Sequence, residues 1–427
     1  MRKLLMLGCL LACGSAGAAP SGAARCDKLL DVKTGRILDD QAISFSNGVV
    51  TAGGPATALP ADAHPISVHG TCLPGLIDAH VHLTADPVHA GYQGLGISIP
   101  RQAVLGVKNA RITLQAGFTT VRNVGAMGFA DVALRDGVNA GDIDGPRMQV
   151  SGPALGITGG HVDNNLLPYE YHVTNMGVAD GPWEAVTRVR EVIKYGADLI
   201  KIAASGGVLS KGDLPGTPQY TLEEMQAIVT EAHREGRKVA SHAHGTQSIK
   251  DSILAGVDSV EHASLIDEEG IQLAKDRGTW LVMDIYNDDY ILSEGLKAGM
   301  LPESIEKEKS LGRKQRENFR RAHAAGVKMA FGTDAGVYPH GDNAKQFAKM
   351  VEWGMTPLES IQAATLNGAE LMGWSGKVGV LAPGAYADMI AVPGNPLQDV
   401  RTLEHVAFVM QGGAVKKDTQ GNGTVTQ

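Results

Sequence analysis

Asp78-Ala79-His80-Val81-His82 closes an apolar run that begins at Leu76. In an extended strand alternate side chains share a face, so His80 and His82 point the same way and could ligate one metal. A strand that merely ends in polar residues would read the same, so the pair alone decides little. Comparable residues recur at the ends of other apolar runs. Lys201 sits in Leu199-Ile200-Lys201-Ile202, His242 and His244 precede Gly245, Glu261-His262 follows Val260, and Asp334 follows Gly332-Thr333. Imidazoles and carboxylates together suit a divalent cation, zinc first, with manganese or cobalt as substitutes. Lys201 is out of place in an apolar strand, because a buried ammonium is costly unless neutralised or paired. An ion pair is one solution. Reaction of the neutral amine with CO₂ is the other, giving a carbamate whose oxygens can bridge two cations.

These residues need a scaffold that brings strand ends together. Apolar strands are predicted at Leu76–Leu83, Thr119–Val124, Arg147–Ser151, Leu199–Ala204, Lys238–His244, Ser259–Ala263, Trp280–Ile285 and Lys328–Thr333. Helical spacing lies between most of them, as at Ala103–Ala116, Trp183–Tyr195, Leu222–Glu235, Thr246–Ala255 and Pro302–Ala325. Eight strand–helix units in roughly 270 residues match a (β/α)₈ barrel, whose active sites lie at the C-terminal strand ends. Near-continuous apolar strands agree with a parallel sheet covered on both faces. The flanks alternate apolar and polar residues, with turn signals at Ser46-Asn47-Gly48 and Pro383-Gly384. The expected organisation is α/β: a signal segment at 1–18, a small β-sandwich domain built from 19–70 and 376–417, a barrel at 71–375, and a frayed tail at 418–427.

The strand-end residues, with Leu73-Pro74-Gly75-Leu76-Ile77 before them and Gly379-Val380-Leu381-Ala382-Pro383-Gly384-Ala385-Tyr386-Ala387-Asp388-Met389-Ile390-Ala391-Val392 near the C-terminus, resemble the amidohydrolase superfamily. Thr158-Gly159-Gly160-His161, Ser205-Gly206-Gly207-Val208 and Tyr338-Pro339-His340-Gly341 narrow the likeness to its bacterial prolidase-type dipeptidases and ochratoxin A amidohydrolases. The resemblance implies two divalent ions. His80, His82 and Asp334 would hold the first, His242 and His262 the second, and carbamylated Lys201 both. Of the strand-five pair, it favours His242 as ligand and leaves His244 to substrate or water. It also implies hydrolysis of an amide to a C-terminal amino acid, in dipeptides or N-acyl amino acids such as ochratoxin A. Asp334 would shuttle the proton, and His161 would either help the oxyanion or be a backbone-held loop histidine. Lys211 and Tyr220, in the loop 206–220, could grip the substrate carboxylate or simply face solvent, and His340 is a third candidate contact.

The 427 residues are 43% hydrophobic and 20% charged, with 38 Lys plus Arg against 46 Asp plus Glu and a net charge of −8. That composition suits a large folded core and argues against nucleic acid as the main partner. Arg2 and Lys3, the apolar run Leu4–Cys13 and Ala16-Gly17-Ala18 follow the order of a secretory signal. Export to the periplasm or outside is expected, with lipoprotein anchoring through Cys13 as the alternative and no membrane span in the rest. Of the four cysteines, Cys26 and Cys72 would remain, as a disulfide or as two buried thiols. A homo-oligomer is expected. There is no Gly-x-Ser-x-Gly elbow and no phosphate-binding loop. Two rivals stand beside the amide hydrolase. A cyclic amidase or deaminase is one, although deaminases place a Glu shortly after the strand-five His, where this chain has His242-Ala243-His244-Gly245. A non-catalytic binding protein on a decayed barrel is the other.

Overall fold

The computed structural model describes residues 20–421. Its first strands are β1 Gly22–Asp31, β2 Arg36–Ser46, β3 Val49–Pro55 and β4 Ile66–Pro74. A parallel series follows: β5 Leu76–Val81, β6 Phe118–Asn123, β7 Arg147–Val150, β8 Leu199–Ala203, β9 Lys238–Ala243, β10 Ser259–His262 and β11 Trp280–Val282. The chain closes with β12 Met389–Val392, β13 Phe408–Gln411 and β14 Ala414–Asp418. The expected signal segment, with Cys13, lies outside the described residues.

Both chain ends meet in one sheet, ordered β14-β13-β12-β4-β1-β2-β3. The junction is β4, parallel to β1 and antiparallel to β12, with Thr71 opposite Val392 and Pro74 opposite Met389. Hydrogen bonds join all seven strands, so the second layer expected for a sandwich is not a separately bonded sheet among the described residues. The expected frayed tail is tied at its start: Gln420 exchanges hydrogen bonds with the backbone of His69, at 3.0 and 2.7 Å. Cys26 and Cys72 form a disulfide between β1 and β4, with Cα atoms 6.1 Å apart and a sequence separation of 46. Closing that loop restricts the unfolded chain. Replacing both cysteines with alanine is expected to lower stability by about 2–4 kcal/mol, read as an earlier urea midpoint. An unchanged midpoint would remove the bond from the stabilising interactions.

The parallel strands form a β5-β6-β7 sheet and a β8-β9-β10-β11 sheet. Every residue of β5, β6 and β8 is buried, the pattern of strands covered on both faces. Seven of the eight expected parallel strands are found. The eighth, Lys328–Thr333, makes one isolated bridge instead, Met329 to Leu281, and Ala335 just beyond it bridges Val81. Its ladder breaks because the Phe331 amide donates to the carbonyl of Ala363, outside any strand. A third isolated bridge, Leu155 to Ile202, links the chain after β7 to β8.

Candidate active site

The C-terminal ends of the parallel strands converge on a cavity of about 640 Å³. His80 and His82 come from the end of β5, Lys201 from β8, His242 from β9 with His244 just beyond, His262 from β10, and Asp334 from the bridged segment. All seven line the cavity, as does His161 from the loop after β7. The strand pleat sets this up for the histidine pairs, as their spacing predicted. Local backbone completes it. His262 and Asp334 adopt left-handed conformations, φ 67° and 56°, uncommon for residues other than glycine. Gly332 is required by close approach, since a Cβ there would stand 2.2 Å from Val282 Cγ1 and 2.9 Å from His80 Cβ.

Two sets of three residues offer metal-ligand atoms within 4.8 Å of one another: His80, His262 and Asp334, and His242, His244 and His262. His82 Nε2 lies 3.0 Å from Asp334 Oδ1, and His80 Nε2 lies 3.3 Å from the same oxygen. The His242 and His262 rings are 4.5 Å apart, and the His80 and His262 rings 5.1 Å. Lys201 is buried beside them, and its Nζ has no hydrogen-bond partner. Buried imidazoles and a carboxylate beside that orphaned amine fit a divalent metal centre.

The electrostatics agree with that fit. Burial pulls Lys201 down to about 8, against the attraction of Glu261 and Asp334, which exposes neutral amine near physiological pH. Burial, then the neighbouring histidines, hold His242 and His244 well below the usual imidazole range, leaving neutral rings able to ligate. Burial also lowers His161 to about 4. His80 moves upward despite burial and Lys201, because Asp334 and Glu261 face it. Asp334 is held well below the carboxylate range; His80 and His82 outweigh its burial.

Further residues support this group; the sequence pointed to Glu261 but not to Asp284, Asn287 or Arg122. Asp284 Oδ1 lies 2.7 Å from His262 Nδ1, and Asn287 Nδ2 donates to Asp334 Oδ2 at 3.1 Å. Glu261 Oε2 lies 3.1 Å from His80 Nδ1, and its other oxygen accepts from Arg122 Nη2 at 2.8 Å. Such partners fix the orientation of a ligating imidazole. An acid just beyond a strand end was the available signal for Asp284. His244 Nδ1 is 2.8 Å from Ser264 Oγ. His161 stacks on His242 with centroids 4.1 Å apart, and its Nδ1 meets Ser210 Oγ at 2.8 Å. Only glycine at 207 leaves room for that ring, because a Cβ would come within 2.1 Å of it.

The three expected substrate contacts sit elsewhere. Lys211 turns to the surface, where its Nζ donates to Tyr92 Oη at 3.0 Å. Tyr220 is packed in the hydrophobic core with its hydroxyl unpaired, and burial pushes that phenol upward. His340 is buried behind the cavity wall, with Nε2 3.0 Å from the carbonyl of Ala85. The loop holding the first two is pinned instead by Asp213, which meets Lys307 Nζ at 3.0 Å and Ser210 Oγ at 2.6 Å.

The sequence profile of the amidohydrolase family matches residues 71–418. The chain belongs to the amidohydrolase family. Ochratoxinase of Aspergillus niger is 34% identical to this amidohydrolase over 418 residues, which span 90% of this chain and 84% of that one. A Xaa-Pro dipeptidase solved with methionine bound in its active site superposes with a TM-score of 0.86 at 36% identity, over 93% of this chain and 99% of its own. The crystal structure of A. niger ochratoxinase gives 0.82 at 31% identity, over 95% and 97%. The amidohydrolase is thus a hydrolase acting on amide bonds, and the non-catalytic alternative falls away.

Proposed function

We propose that this chain hydrolyses the amide bond to a C-terminal amino acid in dipeptides or N-acyl amino acids, ochratoxin A among them, using two divalent metal ions. The observation that carries the proposal is the unpaired Lys201 amine set among His80, His82, His242, His262 and Asp334 in one cavity. The kinds of substrate follow the similarity to ochratoxinase and to the Xaa-Pro dipeptidase. His80, His82 and Asp334 would hold one ion, His242 and His262 the other, and Lys201, as its carbamate, both. The three isolated bridges would complete an eight-stranded barrel around this group.

When bound, the ions would supply Lewis acidity: a water that loses its proton near neutral pH and a polarised scissile carbonyl. Asp334 accepts the proton of the attacking water and returns it to the leaving nitrogen. Asn287, on the other Asp334 oxygen, keeps the carboxylate turned for that transfer. His161 and His244 line the cavity as neutral donors for the developing oxyanion and the substrate. Export is part of the same proposal, supported by the Cys26–Cys72 disulfide, a bond that persists in oxidising compartments.

The test is a panel of dipeptides and N-acyl amino acids with the leaving residue varied, run on metal-loaded and chelator-treated protein. Hydrolysis releasing the C-terminal amino acid, lost with chelator and restored by zinc, is expected. Ring opening of cyclic amides, with no cleavage of linear substrates, would favour the cyclic amidase instead.

A further inference from the structure

The helix Pro302–Ala324 turns one face to the cavity, with Glu308, Leu311 and Gln315 spaced by three and four residues. Gln315 touches the metal-site side: its Nε2 donates to Asp284 Oδ1 at 3.2 Å and to the carbonyl of His262 at 3.3 Å. Glu308 stands two turns away, about 10 Å along the helix axis. It is 5% exposed and lines the cavity. Among the described residues it makes no hydrogen bond and no ion pair.

Its surroundings do not supply the missing partner. Arg316, the guanidinium nearby, is committed to Asp288 and Asp289 at 3.1 Å each and to the carbonyl of Ile285 at 2.9 Å. Burial first, then Asp288 and Asp284, push the Glu308 carboxyl up to about 8, with Arg316 acting the other way. Among the described residues lining the cavity there is no arginine, and Lys201 is the one lysine. Val208, Ile291, Met300 and Leu311 line the same cavity and pack as one apolar cluster. The arrangement is an apolar channel for methylene groups beside a carboxyl that lacks a donor.

We propose that Glu308 forms a subsite for the ammonium or guanidinium tip of a basic amino-acid side chain in the substrate. The proposal rests on the amide-hydrolase reading and names a substrate class within it. An entering cation lets the carboxyl ionise and make charge-assisted hydrogen bonds. A neutral chain of equal length fills the apolar walls and leaves the carboxyl unpaired, which is unfavourable.

The test compares dipeptides carrying lysine or norleucine at either position. The wild type is expected to favour lysine over norleucine at one position, on the order of tenfold or more in kcat/KM. In Glu308→Gln that ratio should fall to about one. Equal turnover of the two residues at both positions in the wild type overturns the proposal, and so does an unchanged preference in Glu308→Gln. Calorimetry of free L-lysine and L-norleucine on the metal-loaded wild type reads the subsite without catalysis. If neither a dipeptide nor an N-acyl amino acid is cleaved, the amide-hydrolase reading fails. Tighter binding of lysine then still supports the subsite, and equal binding overturns it.

Discussion

Lys201→Ala is expected to lose on the order of 10³-fold in kcat and to bind its second metal poorly. An alanine leaves nothing between the two groups of imidazoles, and a protonated lysine would repel the cations it is meant to join. Loss of several kcal/mol of charge stabilisation corresponds to a rate factor of that size. The proposed carbamate would form when the neutral Lys201 amine attacks CO₂ and releases a proton, so a carboxylate would replace an amine at the same position. Short carboxylic acids added to the alanine variant should therefore recover part of the activity, by occupying the vacated space. Intact-protein and peptide mass measurements on metal-loaded wild type should find one CO₂ added at Lys201. An unmodified amine in a fully active enzyme with two metals would sink the assignment and require a different bridge.

Asp334→Asn tests the proton transfer separately. Asparagine preserves the volume, and its side-chain oxygen can still face a metal, but it cannot take a proton from water. The variant should keep most of its metal, bind substrate with little change in KM, and lose about 10²–10⁴-fold in kcat. Metal per chain and steady-state kinetics on the same preparation separate this outcome from simple metal loss. Near-normal turnover with normal metal content would assign the proton to another group. His161 is the next candidate, since it lines the cavity with a depressed pKa.

The residues legible in the sequence are those whose direction the local backbone dictates. Alternation in a strand aims His80 with His82, and His242 with His244, without any tertiary knowledge. Helices with a clear apolar stripe were legible to within a few residues, as at Leu222–Arg234 and Thr246–Ala255. Roles that depend on what packs opposite were not. Asp284 and Asn287 matter because they meet His262 and Asp334 across different elements. Lys211 and Tyr220 share one loop, yet one turns to solvent and the other into the core, and no spacing rule distinguishes them. In Glu306-Lys307-Glu308-Lys309 the text resembles a solvated charge run. The helix nevertheless buries Glu308 at the cavity and ties Lys307 to Asp213. The expected eighth strand does not form: the hydrogen bonds of that segment are divided between Leu281, Ala363 and His80, so only isolated bridges result.

The mixed origin of the seven-stranded sheet has a consequence for the order in which the protein can be made. During synthesis β1 to β4 emerge first and can pair, and Cys26 can meet Cys72 across β1 and β4 early. The other edge of β4 has no partner until Met389–Val392 has left the ribosome, after every catalytic strand. An open strand edge invites pairing with other chains. The nascent protein therefore carries an unprotected edge through most of its production, and chains interrupted before Met389 keep it. Truncated products should be markedly more prone to associate than the complete chain, independently of how well their metal-site half has folded.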